Sequence, residues 1–272
     1  MDLTPGPLMR TLARRLDHGS PSGLYLTIGL AGATLFLLGF LSIAEDLVES
    51  ASFSIDRAVS GALAAAASPA LTRVFWAATL TGDTRTAVIE TAAAVMILLL
   101  WSRFRRGAFL AGIMIAGSGV ANALKDVFDR ARPPIPAALV ATPDSYSFPS
   151  GHSIAALLLF GSLALLLLVS SRPTWLKVTG VAAAASTTLL VGLSRVYLGV
   201  HWFSDVVASW CLGAALLCAG GAALLAWERF GPPRPAPRRT GRAAVWRWAA
   251  TLAIAGVTVW ELVAEAARNP LV

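Results

Sequence analysis

The sequence predicts an all-α, polytopic integral membrane protein, a bundle of six core transmembrane helices with a candidate seventh at its C-terminal end. Of its 272 residues, 56% are hydrophobic and only 14% are charged, and the mean hydropathy is +0.69. A soluble domain is nearer to a quarter charged, so the composition alone favours a membrane protein. The hydrophobic residues also cluster into runs close to the roughly 20 residues that a bilayer core requires.

Six such runs define the core helices. They cover residues 24–43, 87–101, 107–124, 153–171, 174–193 and 206–227. The second run is interrupted by Glu90, and a weaker seventh run, residues 248–263, would cross the membrane or lie at its surface. The first run follows a long polar and basic arm and has no clear small-x-small cleavage site, so we interpret it as a retained anchor. Cys211 and Cys218 share one helix face and are expected to pack rather than to bind a metal.

The basic residues are distributed unevenly between the two sides of the predicted membrane domain. The net charge is +7, and with a cytoplasmic N-terminus 14 of the 22 Lys and Arg residues fall in or beside the inside segments. Only Asp2, Asp17 and Glu228 accompany them there. This positive-inside pattern sets the orientation, and it explains the excess charge without nucleic-acid binding.

The predicted topology divides the chain into four parts. A basic cytoplasmic arm covers residues 1–23, the membrane domain covers 24–227, a Pro/Arg-rich cytoplasmic linker covers 228–247, and the candidate seventh helix covers 248–272. Within the membrane domain, residues 45–86 are expected to form interfacial helices outside, with Pro69 after Ser68 starting the second of them. Residues 125–152 form a proline-rich outside loop.

Three polar blocks fall at the outward helix ends of this topology, and all three would share one membrane face. The first block reads "LKDVFDRARPP". Lys125 and Arg132 are seven residues apart, two helical turns, so both would point the same way if the helix continues until Pro133 ends it. A compact ammonium and a planar guanidinium together suit a phosphoryl group. The structural alternative is a basic cluster at the lipid headgroups.

The second block, "SFPSGHS", opens a membrane helix. Amides at a helix N-terminus bind anions, and Gly151 would let an anion approach the chain closely. Ser150 adds a hydroxyl donor, and His152 is a candidate general acid. The structural alternative is a capping serine beside an interfacial histidine.

The third block, "SRVYLGVHWFSD", contains Arg195, His201 and Asp205. If His201 begins the sixth span, Asp205 lies one turn deeper on the same face, where it would orient the ring and strengthen its nucleophilic nitrogen. A carboxylate inside a membrane helix is costly without a partner, so a purely structural His–Asp pair is the alternative.

The ordered trio, Lys-x6-Arg-Pro, Pro-Ser-Gly-His and Ser-Arg-x5-His-x3-Asp, resembles the signature of the type 2 phosphatidic acid phosphatase family, in its bacterial membrane-embedded branch. That family shares its site with glucose-6-phosphatase and the vanadium haloperoxidases. The resemblance covers all three blocks and the membrane core from about residue 24 to residue 227, but not the tail that follows.

The resemblance implies a role for each matching residue. His201 would be the nucleophile that forms a phosphohistidine, His152 the acid that protonates the leaving oxygen, and Asp205 the group that orients His201. The phosphate oxygens would be held by Lys125, Arg132, Ser150, Gly151 and Arg195. No cofactor is expected.

No metal is expected either. Three fixed cations can neutralise a phosphoryl group, and no carboxylate cluster in the three blocks requires an ion. Asp126 and Asp129 are expected to face solvent or to balance Arg130.

An active site at headgroup level would act on a membrane lipid phosphate or pyrophosphate, such as phosphatidic acid, phosphatidylglycerol phosphate, a polyprenyl pyrophosphate or a lipid A phosphate. The expected location is the bacterial inner membrane, with the site on the outer face. Six spans argue against a soluble haloperoxidase. A lipid phosphotransferase would use the same residues, and a lipid-binding or transport protein on this scaffold would not need intact His152, His201 and Asp205. The oligomeric state is not predicted.

Overall fold

The computed structural model describes residues 21–50, 54–134, 144–232 and 241–268, and within these ranges it contains nine helices and no strand. The predicted N-terminal arm lies almost entirely outside the described residues, as do the middle of the outside loop and most of the Pro/Arg-rich linker. The helices are α1 (Pro21–Ser50), α2 (Ser54–Ala65), α3 (Pro69–Leu80), α4 (Thr84–Leu100), α5 (Phe104–Phe128), α6 (Gly151–Leu168), α7 (Thr174–Tyr197), α8 (Phe203–Phe230) and α9 (Gly241–Arg268). The all-α class predicted from the sequence is therefore confirmed.

Six of the described helices are long and apolar enough to cross a membrane: α1, α5, α6, α7, α8 and α9. The weak run near the C-terminus is thus part of a full-length helix, whereas the run over residues 87–101 lies in α4, which has only 17 residues. A helix of that length still extends about 25 Å. It packs beside α9 along this length, with Trp101 Nε1 donating to Thr251 Oγ1 (3.2 Å) at one end and Arg85 facing Glu265 (3.6 Å) at the other.

The helices α1 and α8 make the most extensive contact among the described helices. A Cβ placed on Gly29 would lie 2.8 Å from the Cβ of Ala222, and one on Gly32 would lie 3.1 Å from Cys218 Sγ. Small residues on α1 therefore let the two backbones approach, as is common between membrane helices. The cysteines of α8 pack against this glycine face, in agreement with the packing role inferred from their spacing.

Helices α2 and α3 cover the end of the bundle at which α5 and α7 finish and α6 and α8 begin, here called the upper end. Ser68 caps α3, with Pro69 in its first turn, as the sequence predicts. The ring of Phe75 lies 4.5 Å from that of Tyr197, whose hydroxyl pairs with Thr72 Oγ1 (2.7 Å). This packing fixes the short helices on α7 and brings their polar side chains towards the three sequence blocks.

Candidate functional site

All three polar blocks meet at the upper end of the bundle around one cavity of about 740 Å³. Its lining includes six of the eight residues singled out from the sequence: Lys125, Arg132, Gly151, His152, Arg195 and His201. Asp205 lies behind His201 and is fully buried, and Ser150 is buried beneath the first turn of α6. The blocks are separated in the chain, and the helix ends bring them together.

The first block is not one continuous helix. We expected proline to end it, but α5 ends at Phe128, because Asp129 adopts a left-handed conformation (φ 44°) and its amide closes on the Lys125 carbonyl. Lys125 therefore lies in the last turn of α5, while Arg132 follows in an extended segment. The two cations reach the same cavity by different backbone routes, and the helical spacing inferred for them is wrong.

Arg132 is held in place by main-chain carbonyls. Its Nε donates to the Ser145 carbonyl (2.8 Å), and one terminal nitrogen donates to the Val200 carbonyl (2.6 Å) and lies 3.2 Å from His201 Nε2. The guanidinium thus joins the first and third blocks. A pre-oriented planar guanidinium beside the imidazole suits a multiply charged oxyanion.

The other two cations have few partners. Lys125 Nζ lies 3.2 Å from Ser145 Oγ, and one terminal nitrogen of Arg195 donates to Thr79 Oγ1 of α3 (2.6 Å). Arg195 is 5% exposed, and its Nε has no hydrogen-bond partner among the described residues. Burial of a guanidinium with an unpaired N–H group costs free energy unless an anion accepts a hydrogen bond from that group.

The N-terminus of α6 supplies the second block. Ser150 is the N-cap, and its Oγ accepts from the amide and from the hydroxyl of Ser153 (3.4 and 2.9 Å). A Cβ on Gly151 would meet nothing within 4 Å, so the chain borders open space there. The Ser150 hydroxyl thus caps the helix, and its contact with phosphate stays a prediction. The helix start at Gly151, in contrast, faces the cavity directly.

His201 and Asp205 make the contact that their spacing predicts, although His201 precedes α8. Gly199, in the left-handed region (φ 73°) that favours glycine, turns the chain after α7, and the amides of Val200 and His201 then donate to the Arg195 carbonyl. Asp205 Oδ2 accepts from the Trp202 amide (2.9 Å) and lies 3.2 Å from His201 Nδ1. With Nδ1 protonated towards Asp205, the Nε2 lone pair faces Arg132 and the cavity.

The protonation of His201 is set mainly by its burial. The residue is only 2% exposed, and burial lowers its pKa from 6.5 to about 4, against the opposing effect of the hydrogen bond to Asp205. Arg195 and Arg132 lower the pKa further through their charges. The imidazole is therefore neutral at neutral pH, which is the form that can act as a nucleophile.

His152 lines the same cavity and has a carboxylate neighbour that the sequence did not suggest. Its Nε2 lies 4.0 Å from Oδ1 of Asp83, the N-cap of α4. The turn before Asp83 approaches closely because residue 82 is glycine, where a Cβ would lie 3.2 Å from the Cβ of His152. The α3–α4 turn thus places an acidic group beside the candidate acid.

A buried ion network supports the nucleophile from behind. Arg130 donates to Asp205 Oδ1 and, through its other terminal nitrogen, to Asp56 Oδ2 of α2 (2.7 Å). Asp56 in turn accepts from the amide and the hydroxyl of Ser204 (2.8 and 2.7 Å), and Ser147 Oγ donates to Asp205 Oδ2. Arg130, Asp56 and Asp205 are all at most 7% exposed.

Sequence reasoning missed this network. Asp126 and Asp129 are exposed, in agreement with the first of the two alternatives expected for them, and the described ion-pair partners of Arg130 are Asp56 and Asp205. Asp129 also forms the left-handed end of α5. Asp56 is an acidic residue in the first turn of an amphipathic helix, and no local pattern distinguishes it from an ordinary surface carboxylate.

The donors around the cavity suit an oxyanion. Among the described residues, no group of three or more His, Cys, Asp or Glu side chains could hold a metal ion. Three cations, the start of a helix and two histidines instead converge on one space. The fold and the site together define a polytopic helical protein whose cavity at one end of the bundle is lined by two histidines and three cations that suit an oxyanion.

Comparison with known proteins agrees with this class. Residues 106–229 match the sequence profile of the PAP2 superfamily. It is 43% identical over 72 residues to an undecaprenyl-diphosphatase of Sulfolobus acidocaldarius, covering 26% of this chain and 31% of the relative. It is 39% identical over 100 residues to phosphatidylglycerophosphatase B of Bacillus subtilis, covering 34% of this chain and 45% of the relative. These matches span less than half the length of either relative.

A solved structure has the same fold. The transmembrane PAP2-type phosphatidylglycerolphosphate phosphatase of Bacillus subtilis superimposes with a TM-score of 0.61 and 27% sequence identity, over 68% of this chain and 92% of that one. The family profile begins at residue 106 and ends at residue 229, so α1, α2, α3, α4 and α9 fall outside it. The Asp56 and Asp83 contacts therefore come from helices beyond the matched domain.

The buried network generates a stability prediction. Asp56→Ala removes one partner of a fully desolvated ion pair and leaves the Ser204 amide without its acceptor. Loss of one partner of a buried pair costs about 3–5 kcal/mol. We expect a clear fall in the thermal unfolding midpoint of the detergent-purified protein. Asp126→Ala, an exposed carboxylate near the end of α5, is the matched control and should leave the midpoint unchanged. Equal midpoints for the two variants would contradict the role given to Asp56.

Proposed function

We propose that this protein is an integral membrane lipid phosphatase that removes phosphate from a lipid phosphate or pyrophosphate through a phosphohistidine intermediate. The observation that carries the proposal is the continuity of one cavity. Its upper part holds three cations and both histidines, and its lower part is an apolar groove between α4, α5 and α6. Ile115 lines that groove and is 74% exposed, so the groove opens towards the surroundings of the bundle.

The first chemical step transfers the phosphoryl group to His201. Its Nε2 attacks phosphorus in line, the P–N bond forms and the bond to the lipid oxygen breaks. His152 gives its proton to the leaving oxygen, which departs as an alcohol, or as a phosphate when the substrate is a pyrophosphate. Asp205 holds the Nδ1 proton of His201 and stabilises the positive charge that the ring acquires.

The second step releases orthophosphate. Water attacks the phosphohistidine, His152 accepts a proton from it, the P–N bond breaks and His201 returns to its neutral form. Lys125, Arg132, Arg195 and the amide of Gly151 neutralise the equatorial oxygens throughout. Phosphoryl transfer demands mostly positioning and charge neutralisation, so these fixed donors support a metal-independent reaction.

The proposed orientation places the upper end outside the inner membrane. The positive-inside distribution supports it, because the lower end carries the Arg105 and Arg106 contacts to Trp227 and Glu228. A phosphate at the upper end would then lie at the headgroup level of the outer leaflet, while its acyl chains occupy the groove.

Different leaving groups should separate the roles of the two histidines. His201→Ala should lower turnover at least about a thousandfold on every substrate, because nothing else can attack phosphorus. His152→Ala should impair a lipid phosphate strongly but spare the first-turnover burst of nitrophenolate from p-nitrophenyl phosphate, since nitrophenolate leaves without a proton. Bursts should be followed by stopped flow in EDTA.

Two outcomes would sink this assignment. Equal loss of the burst in both variants would mean that the histidines do not have distinct roles. If EDTA abolishes the activity of the wild-type enzyme and added Mg²⁺ restores it, the metal-independent reaction is excluded.

The protonation of His201 can be measured directly because the chain has only three histidines. In ¹³C-labelled protein, the resonance lost in His201→Asn should titrate near pH 4 in the free protein, well below 6.5. Since catalysis needs the neutral ring, kcat/KM should persist as pH falls through 6.5 and decline near pH 4, after correction for substrate ionisation. Added orthophosphate should raise the midpoint, because the anion stabilises the imidazolium. A midpoint near 6.5 without phosphate would contradict the buried, neutral nucleophile.

The orientation can be tested by labelling with a membrane-impermeant maleimide after both native cysteines are replaced by alanine. Asp144→Cys, an exposed position at the upper end, should react in intact spheroplasts. Arg103→Cys, exposed in the short loop between α4 and α5, should react only after permeabilisation. The reverse pattern would place the site in the cytoplasm.

A further inference from the structure

We infer that the cavity contains an uncharged polar layer, formed by Asn122, Ser118 and Thr91, that binds the ester linkages of a glycerolipid phosphate. The inference rests on the proposed phosphatase function and narrows its substrate class. It is carried by the order in which charged, polar and apolar side chains follow one another from the phosphate end of the cavity into the groove.

The layer lies directly below the cations. On α5, Asn122 and Ser118 precede Lys125 by three and seven residues and line the same cavity. With a rise of 1.5 Å per residue, they lie about 4.5 Å and about 10.5 Å below it along the helix axis. Thr91 lines the facing wall from α4.

Beyond this layer the groove is apolar. Deeper on α4 and α5 its lining consists of Val95, Ile115, Met114 and Ala111. The order of the lining is therefore three cations, then one amide and two hydroxyls beside apolar side chains such as Val88 and Ala121, then hydrocarbon alone. A glycerolipid phosphate has the same sequence of phosphate, glycerol esters and acyl chains.

The three polar side chains have unused hydrogen-bonding capacity. Thr91 Oγ1 is buried without a partner in the described part of the chain. Asn122 and Ser118 are exposed, line the cavity, and make no side-chain hydrogen bond to another described residue. Within a bilayer, polar groups without partners are unfavourable, because no bulk water replaces the missing bonds. A ligand that supplies acceptors at this depth relieves that penalty.

The donor chemistry distinguishes between lipid classes. Asn122 and the hydroxyls can donate to ester carbonyl oxygens close to the phosphate. A polyprenyl chain has only hydrocarbon at this depth and would leave the same donors unpaired, which is the situation in which a polar site rejects an apolar analogue. The proximal phosphate of a pyrophosphate would suit the layer poorly, because the layer contains no cation to balance its charge.

The test compares kcat/KM for dioleoyl phosphatidate, its diether analogue without the carbonyls, and farnesyl monophosphate, each at one mole fraction in the same detergent micelles. We expect the wild-type enzyme to prefer the diester to the diether by about tenfold, the magnitude that one or two lost hydrogen bonds produce. In Asn122→Leu, which has a similar volume, the diester-to-diether ratio should fall towards one. Thr91→Val should lower it less.

The control variant is Ala123→Leu, on the same turn of α5 but outside the cavity lining, which should keep the wild-type ratio. A wild-type ratio of one, or an equal loss on diester and diether in Asn122→Leu, would overturn the inference and leave the phosphatase proposal intact. Absence of hydrolysis of all three lipids, and of farnesyl pyrophosphate assayed beside them, would reject the phosphatase proposal itself. If Asn122→Leu does not fold, the diester-to-diether ratios of the wild-type enzyme and of Thr91→Val test the inference instead.

Discussion

The carboxylate of Asp205 is the group on which the rest of the site depends. It is fully buried at the start of α8 and accepts from the Trp202 amide, Ser147 and Arg130 while it faces His201. A charge in this position is tolerated only because every direction around it supplies a donor. The same contacts hold the imidazole with its reactive nitrogen towards the cavity. One carboxylate therefore satisfies a helix N-terminus, neutralises a buried guanidinium and orients the proposed nucleophile.

The network behind Asp205 also explains why short helices cover the upper end of the bundle. Asp56 on α2 shares Arg130 with Asp205, and Thr79 on α3 contacts Arg195. These helices lie outside the matched domain, yet they supply partners for two of its arginines. Removal of the cover would expose a desolvated ion network rather than an apolar surface. The stability of the cover and the geometry of the site are thus coupled through the same side chains.

Charge is distributed differently on the two sides of His201. Behind the ring, positive and negative groups are paired, whereas Lys125, Arg132 and Arg195 in front of it converge on the cavity with only Asp83 as a nearby carboxylate in the lining. A site with surplus positive charge and low solvent access favours a multiply charged anion. The open apolar groove below it favours an anion attached to a hydrocarbon chain. These two properties, rather than either histidine alone, support a lipid phosphate as substrate.

The sequence by itself determined the helical membrane class and six of the residues that line the cavity, because hydrophobic runs and short polar motifs are local properties of the chain. It did not determine the end of α5 at Asp129, where backbone conformation prevails over the prolines that follow. Nor could it reveal the link from Arg130 to Asp56, since 74 residues separate the two side chains and ordinary surface helices have the same pattern as α2. Only the tertiary structure decided which carboxylates neutralise which cations, because a buried charge selects its partner by proximity in the folded bundle and not by position along the chain.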